Sequence, residues 1–302
     1  MNKIITNMAK ILKYIYRFTV QLGNLSNLHI ITAGLKIFEF GIRRLFSKNF
    51  VMKDIWGVVR IYTNNDPMGF KTSTGGYELE EQAMFNKLLR GYFSGPISIV
   101  DVGSAIGTYS SLFGVVNKNA KVFSFEPNPF SFEQQVRQIR LNGIEERVQM
   151  FNLALSDKQS ELSFYYQDGI EGSLWGSFHN SQAHPNILEI KIETATLDSI
   201  FDEKKPNIDI IKLDIEGAEL PALRGMEKTI SRCQPFILCE VSLSYLIEQE
   251  GNVYLETLAF FKNLNYTAYL LNGSNIKIYE WPEERIMNLI LVPNDFNINN
   301  IK

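Results

Sequence analysis

Disulfides, export and membrane insertion each need a sequence feature that this chain of 302 residues lacks. It has two cysteines, Cys233 and Cys239, too few for a disulfide framework and in no CxxC metal spacing. They read as small core residues in a reducing compartment. No uninterrupted apolar stretch approaches the ~20 residues that span a bilayer. The opening MNKIITNMAKILKYIYRFTVQLG is broken by Lys10, Lys13 and Arg17, so it is no secretory signal. A cytoplasmic protein is expected. Charge is unevenly spread: in the first fifty residues Lys3, Lys10, Lys13, Arg17, Lys36, Arg43, Arg44 and Lys48 face a lone Glu39. With a net charge of −3 overall, the remainder is acidic, which argues against a nucleic-acid-binding catalytic face. There are no internal repeats and no low-complexity tracts.

What is present is ordinary globular material, 45% hydrophobic and 21% charged, enough to bury a core. Residues 1–50 place apolar groups at helical spacing (Ile4, Ile5, Met8, Ile11, Leu12, Ile15) with basic residues between them. A basic amphipathic extension of this kind docks on its own domain, makes a homo-oligomer contact, or lies peripherally on an anionic membrane. Residues 51–302 form the second expected domain. From residue 97 its text alternates continuous apolar runs with helical patterns: ISIVDVG, TYSSLFGVV, KVFSFEP, FEQQVRQIRLNG, VQMFNLALS, IDIIKLD, EGAELPALRGMEKTI, PFILCEV, VYLETLAFFKNLN, TAYLLNG and MNLILVP. Unbroken apolar strands between helices indicate an α/β, doubly wound, mainly parallel sheet covered on both faces. An insertion at about 164–190, rich in Gly, Ser, Asn and aromatics, reads as a lid that carries substrate contacts.

Two motifs carry chemistry. Asp101-Val-Gly103-Ser104-Ala-Ile-Gly107 joins a strand to a helix, where glycines let a ligand approach the backbone. It is not the dinucleotide fingerprint, because Ala105 replaces the middle glycine. A turn led by an acid suits a cofactor without phosphate and with positive charge; S-adenosylmethionine (SAM) has both traits. Glu126-Pro127-Asn128 closes the next strand, about twenty residues on, where an acid takes the two hydroxyls of a ribose. That geometry serves NAD and SAM alike.

With VDVGSAIGTYS, FEPNP, NLALSD, KLDIEGAELPALRG and PFILCEV in this order and spacing, the chain resembles the FkbM family of SAM-dependent methyltransferases over roughly residues 75–272. The resemblance implies a class I methyltransferase fold, a seven-stranded sheet of order 3-2-1-4-5-7-6 with the seventh strand antiparallel. It also implies methylation of hydroxyl oxygens in sugars, glycans or related natural products. It departs at Ser104-Ala105, where the family commonly has Ala-Asn. On that fold Asp101, Gly103, Ser104, Gly107, Glu126 and Pro127 bind the cofactor. The resemblance adds Asn128 near the adenosine and Ala154, at the tip of the third strand, near the adenine.

Asp214 ends the fourth strand beside the switch point, where ligands of such sheets sit. A hydroxyl is a poor nucleophile until its proton leaves, so a positioned base is needed. Asp214, Glu216 and Glu240 are the candidates, with His179 and His184 of the lid as alternatives. Converging carboxylates also offer a second route, a divalent metal that acidifies the hydroxyl; with no dedicated ligand cluster in the sequence, metal-free catalysis is the primary expectation. Lys212, in phase with Asp214 inside a strand, needs a carboxylate partner and otherwise meets substrate. Trp175, His179 and His184 complete the substrate-side set. Glu219 falls in the first turn of the following helix, where its charge is favoured. The competing functional readings are a nicotinamide-dependent oxidoreductase and a catalytically silent SAM-binding scaffold.

Overall fold

The computed structural model describes residues 50–54, 56–62, 78–167, 176–177, 187–242, 253–272, 275–279 and 286–300. The N-terminal extension, apart from Phe50, lies outside them, as do Trp175, His179 and His184. The chain falls into two compact units, Met1–Ile55 with Val59–Tyr77 and Trp56–Val58 with Glu78–Lys302. In the first, the described residues are an antiparallel hairpin of β1 (Phe50–Lys53) and β2 (Val59–Tyr62), with a buried Arg60–Asp54 ion pair at 3.0 Å.

The second unit opens with helix α1 (Leu79–Arg90). Strand β3 (Ile97–Val102), helix α2 (Thr108–Val116), strand β4 (Ala120–Phe125), helix α3 (Pro129–Leu141) and strand β5 (Val148–Phe151) then alternate. After β6 (Ala154–Leu155), β7 (Ser160–Gln167), β8 (Gly176–Ser177), β9 (Ile187–Ala195) and the short helix α4 (Leu197–Ile200), the alternation resumes with β10 (Ile210–Leu213). It continues through α5 (Glu219–Arg224), α6 (Glu227–Cys233), β11 (Phe236–Ser242), α7 (Val253–Asn263), β12 (Tyr266–Asn272), β13 (Asn275–Ile278) and β14 (Ile286–Pro293).

The main sheet has the order β13-β12-β14-β11-β10-β3-β4-β5. β5, β4, β3, β10 and β11 are parallel, and β14 runs antiparallel to both of its neighbours, β11 and β12. Beyond the seven strands implied by the resemblance, β13 adds an eighth at the edge, paired antiparallel with β12. Chain order reverses between β3 and β10, so the crevice beyond their C-terminal ends is the place for a ligand.

Both faces are covered. Ile97, Ile99, Val122, Ile210 and Leu238 face α1–α3, represented by Phe85, Leu88, Leu112, Phe113 and Ile139. Val100, Val102, Phe123, Ile211 and Leu213 face the other core, with Leu197, Leu223, Ile230 and Phe261. This two-sided burial is why the strands read as unbroken apolar runs. It also explains the helix TYSSLFGVV, which carries no charge because residues 108–114 are all buried. Cys239 lies in the core and both cysteines are free thiols.

Three expectations change. VQMFNLALS is not one strand: β5 ends at Phe151, and Ala154 belongs to β6 in a separate sheet of order β6-β9-β7-β8, paired with Thr194. Asn152 makes the break, its side chain donating to the carbonyls of Glu126 (2.8 Å) and Pro127 (3.1 Å). EGAELPALRGMEKTI is two helices, parted at Gly225, where an added Cβ would come within 1.9 Å of the Ser156 carbonyl oxygen. The insertion keeps Ser163–Gln167 in β7, antiparallel to β9, so part of the expected lid is sheet.

Candidate active site

The site grows from the C-terminal tips of β3, β4, β10 and β11. At the tip of β3, Gly103 (φ 75°) and Gly107 (φ 80°) sit in the left-handed region that glycine tolerates. Each is further constrained by close packing. A Cβ at Gly103 would lie 1.9 Å from the Asp214 carbonyl oxygen, and one at Gly107 would lie 2.8 Å from Gln135 Cγ. The glycine loop is thus pressed against the turn after β10. Ala105 adopts φ 47° without being glycine, and its N–H donates to Glu126 Oε2 at 2.8 Å.

Glu126, expected at the tip of β4, is 6% exposed. Its other oxygen accepts from the Asn128 N–H at 2.8 Å. Burial pushes the Glu126 carboxyl up to about 7, against the lowering effect of these two N–H bonds, while the fields of Asp101 and Asp214 add to the rise. A carboxylate has about four acceptor positions, so two remain for ligand hydroxyls. Asn128 itself caps α3, its Oδ1 accepting from the Phe130 N–H at 3.0 Å with Pro129 in the first turn.

Asp101 and Ser104 are placed deeper than expected. Ser104 is buried, its hydroxyl donating to the Phe125 carbonyl at 3.3 Å. Asp101 is fully buried and belongs to a polar seam across the sheet: in register it lies beside Lys212 on β10 and Ser124 on β4. Ser110 of α2 donates to Asp101 Oδ2 at 2.6 Å, and Gln135 of α3 donates to Ser124. Burial raises the Asp101 carboxyl's proton affinity, opposed by Lys212 and the Ser110 hydroxyl. Asp101 Oδ1 has no hydrogen-bond partner among the described residues. The serines inside AKVFSF and TYSSLFGVV were the available signal for this seam. Ala154 is buried with Phe164, Tyr166 and Ile192, in β6 rather than at the tip of β5.

Asp214 continues the ladder beyond β10, its N–H donating to the Val102 carbonyl at 3.2 Å. Lys212, expected to meet substrate or an acid, is buried with its ammonium 2.7 Å from Asp214 Oδ2. The ammonium also stands 4.7 Å above the centre of the Tyr109 ring. Burial opposes its charge, but the carboxylates of Asp214, Asp101 and Glu78 prevail and hold its proton more tightly than usual. Asp214 is thus the carboxylate partner that a lysine inside a strand needs.

Glu78, which the sequence reading missed, precedes α1 with φ 43° and accepts from the Tyr109 hydroxyl at 2.5 Å. Carboxylate oxygens of Glu78, Asp214 and Glu240 all lie within 4.8 Å of one another, though the residues come from three separate elements. Glu240 on β11 is paired in register with Asn288, whose amide donates to Glu81 of α1 at 2.9 Å. Burial, then the fields of Asp214 and Glu216, raise its carboxyl well above the ordinary range. Glu216, at φ 55°, is pushed up to about 7 by burial and by Asp214, with Lys212 pulling the other way. Glu219 is buried in the first turn of α5, its Oε1 accepting from the Gly217 N–H at 3.0 Å. Burial lifts it to about 7 as well.

The Lys212 ammonium, 2.7 Å from Asp214 Oδ2, is a cation that the fold itself brings to this acid group. The glycine loop with Glu126 does fit a nucleoside cofactor, offering a carboxylate with spare acceptor positions beside a backbone shaped for close approach.

Known proteins resemble this arrangement. The 2-O-methyltransferase NoeI of Sinorhizobium fredii is 29% identical over 163 residues, covering 50% of this chain and 65% of NoeI. The hexuronic acid methyltransferase AglP of Haloferax volcanii is 29% identical over 144 residues, covering 47% of this chain and 54% of AglP. The chain thus spans under two thirds of the length of these curated relatives. Among solved structures, the FkbM methyltransferase of Methylobacillus flagellatus aligns with TM-score 0.44 at 18% identity, covering 65% of this chain and 43% of that one. The family model described as the methyltransferase FkbM domain matches residues 101–268, more than half of the sequence. The chain belongs to the FkbM methyltransferase family.

Proposed function

We propose that the protein is a SAM-dependent O-methyltransferase acting on a hydroxyl of a sugar, glycan or related hydroxyl compound. The observation that carries this reading is the convergence of Glu78, Asp214 and Glu240 within 4.8 Å, beside a glycine loop packed directly on the Asp214 backbone. Proton acceptors and a cofactor loop therefore meet at one switch point. The names of the relatives NoeI and AglP support a sugar hydroxyl as acceptor.

In this reading Glu126 takes the ribose hydroxyls, and the Gly103–Gly107 loop supports the methionine portion of SAM. What SAM supplies is an electrophilic methyl group on a sulfonium. Asp214, fixed by Lys212, would accept a hydrogen bond from the acceptor hydroxyl and orient its oxygen towards the bound cofactor, and the hydroxyl proton would pass to a carboxylate of the acid group. Glu216, at about 7, is matched to that task near neutral pH. Glu240, with its raised proton affinity, carries a proton there and serves as a donor to a neighbouring acceptor oxygen.

The test is incubation with methyl-labelled SAM and a panel of neutral glycosides and polyols, with products read by mass spectrometry and NMR. Label on a hydroxyl oxygen is expected. Label only on nitrogen or carbon would overturn the proposal.

A further inference from the structure

The acid group is fed by a chain of contacts that starts on a different helix. Glu78 accepts from the Tyr109 hydroxyl at 2.5 Å, the Tyr109 ring lies 4.7 Å below the Lys212 ammonium, and that ammonium lies 2.7 Å from Asp214 Oδ2. Tyr109 is itself wedged by Phe85 and Phe113, at ring-centre distances of 5.7 and 5.9 Å, so its plane is fixed by the core. A lysine side chain has four rotatable bonds and no planar fork to orient it. Here the ring face and Asp214 locate it from two sides, and the hydroxyl bond to Glu78 keeps the ring from turning.

We propose that Tyr109 and Glu78 are positioning residues for the acid group: they hold the Lys212 ammonium against Asp214. For its catalytic consequence the inference rests on the methyl-transfer reading; the contacts themselves do not. The charged and titratable groups facing Glu216 are Asp214 and Lys212 from the end of β10, Glu78 from the start of α1, and Glu240 from β11. Lys212 lowers Glu216's proton affinity, whereas Asp214 and Glu78 raise it. Displacing the ammonium must therefore move Glu216's titration upward, and removing the Glu78 charge must move it downward. A residue that only packed the core would produce neither movement.

The experiment follows the side-chain carboxyl resonances of Glu216 and Glu240 by NMR across pH in the full chain, without substrate. Tyr109→Leu removes both ring and hydroxyl, Tyr109→Phe keeps the ring, and Glu78→Gln keeps an acceptor without the charge. Since the two glutamates are coupled, apparent midpoints are compared between proteins. The Glu216 midpoint, about 7 in the parent, is expected to rise by roughly half a unit in Tyr109→Leu. It moves less in Tyr109→Phe and falls by roughly half a unit or more in Glu78→Gln. With an acceptor in hand, kcat of Tyr109→Leu falls about 3- to 30-fold while KM for SAM stays within about twofold. Tyr109→Phe retains the shape of the core, so the comparison with Glu78→Gln stands even if the leucine variant unfolds. An unmoved midpoint in Tyr109→Phe would overturn the inference whatever Glu78→Gln does, because the Glu78 charge also acts on Glu216 directly. Shifted midpoints in a protein that transfers no methyl group would instead retain the chain of contacts and overturn the proposed reaction.

Discussion

Replacing Glu126 with glutamine tests the cofactor site through two numbers at once, an affinity and its pH dependence. The parent carboxylate holds the Ala105 and Asn128 N–H groups at 2.8 Å each and has acceptor positions left for a ribose. Hydrogen bonds to an ionised group contribute ~1.5–3 kcal/mol each. An amide keeps the volume and one acceptor oxygen, so the net loss is ~3 kcal/mol, or ~10²-fold weaker SAM binding at pH 8. The second number follows from burial, which raises this carboxyl to about 7. Its ionised form, which the ribose needs, is populated only as pH rises through that value. At pH 6 about a tenth of the parent is ionised, so its advantage over Glu126→Gln shrinks to ~10-fold. SAM's own amine titrates equally in both experiments and cancels in the ratio. Calorimetric titrations at pH 6, 7 and 8, with melting temperatures to confirm folding, give the answer. A loss below about threefold at pH 8, or a ratio that does not change with pH, would refute the reasoning.

Three further outcomes are expected. Gly103→Ala places a Cβ 1.9 Å from the Asp214 carbonyl oxygen at φ 75°; it should lose at least ~2 kcal/mol of stability by urea unfolding and lose SAM binding. Gly95→Ala, whose Cβ meets nothing within 4 Å, should be near neutral, and equal effects would contradict the close-packing argument. Lys212→Met leaves Asp101 and Asp214 without their buried cation and should cost ~3–5 kcal/mol at pH 8. The deficit should shrink as pH falls, because burial favours protonation of Asp101, and a deficit under ~1 kcal/mol at pH 8 would count against the ion pair. Exhaustive dialysis against EDTA should leave turnover unchanged, because Lys212 supplies the cation of the acid group; loss of activity restored by a divalent ion would contradict this.

The parts legible in the sequence were those set by local pattern. Two-sided burial writes β3, β10 and β11 as apolar runs. Asp214 was legible because strand order alone places it at the switch point. The break at Asn152 was not: NLAL continues the apolar text, and only the bonds to Glu126 and Pro127 show that the chain leaves the sheet. β13 was hidden because a four-residue edge strand with lysine and asparagine carries no hydrophobic run. Glu78 was illegible for a different reason. YELEEQ reads as the acidic first turn of a helix, and its contact with Tyr109, thirty-one residues away, exists only after folding. Lys212 was read correctly as needing a carboxylate, but the ring beneath it could come only from the packing of α2 on the sheet.

The central claim is that the loops after β3 and β4 hold SAM rather than a dinucleotide. Calorimetry on the parent protein with SAM, its demethylated product and NAD, side by side, tests it most directly. SAM and the demethylated product should bind at the same site, competing with each other, while NAD gives no heat of binding. Tight binding of NAD with none of SAM would contradict the account.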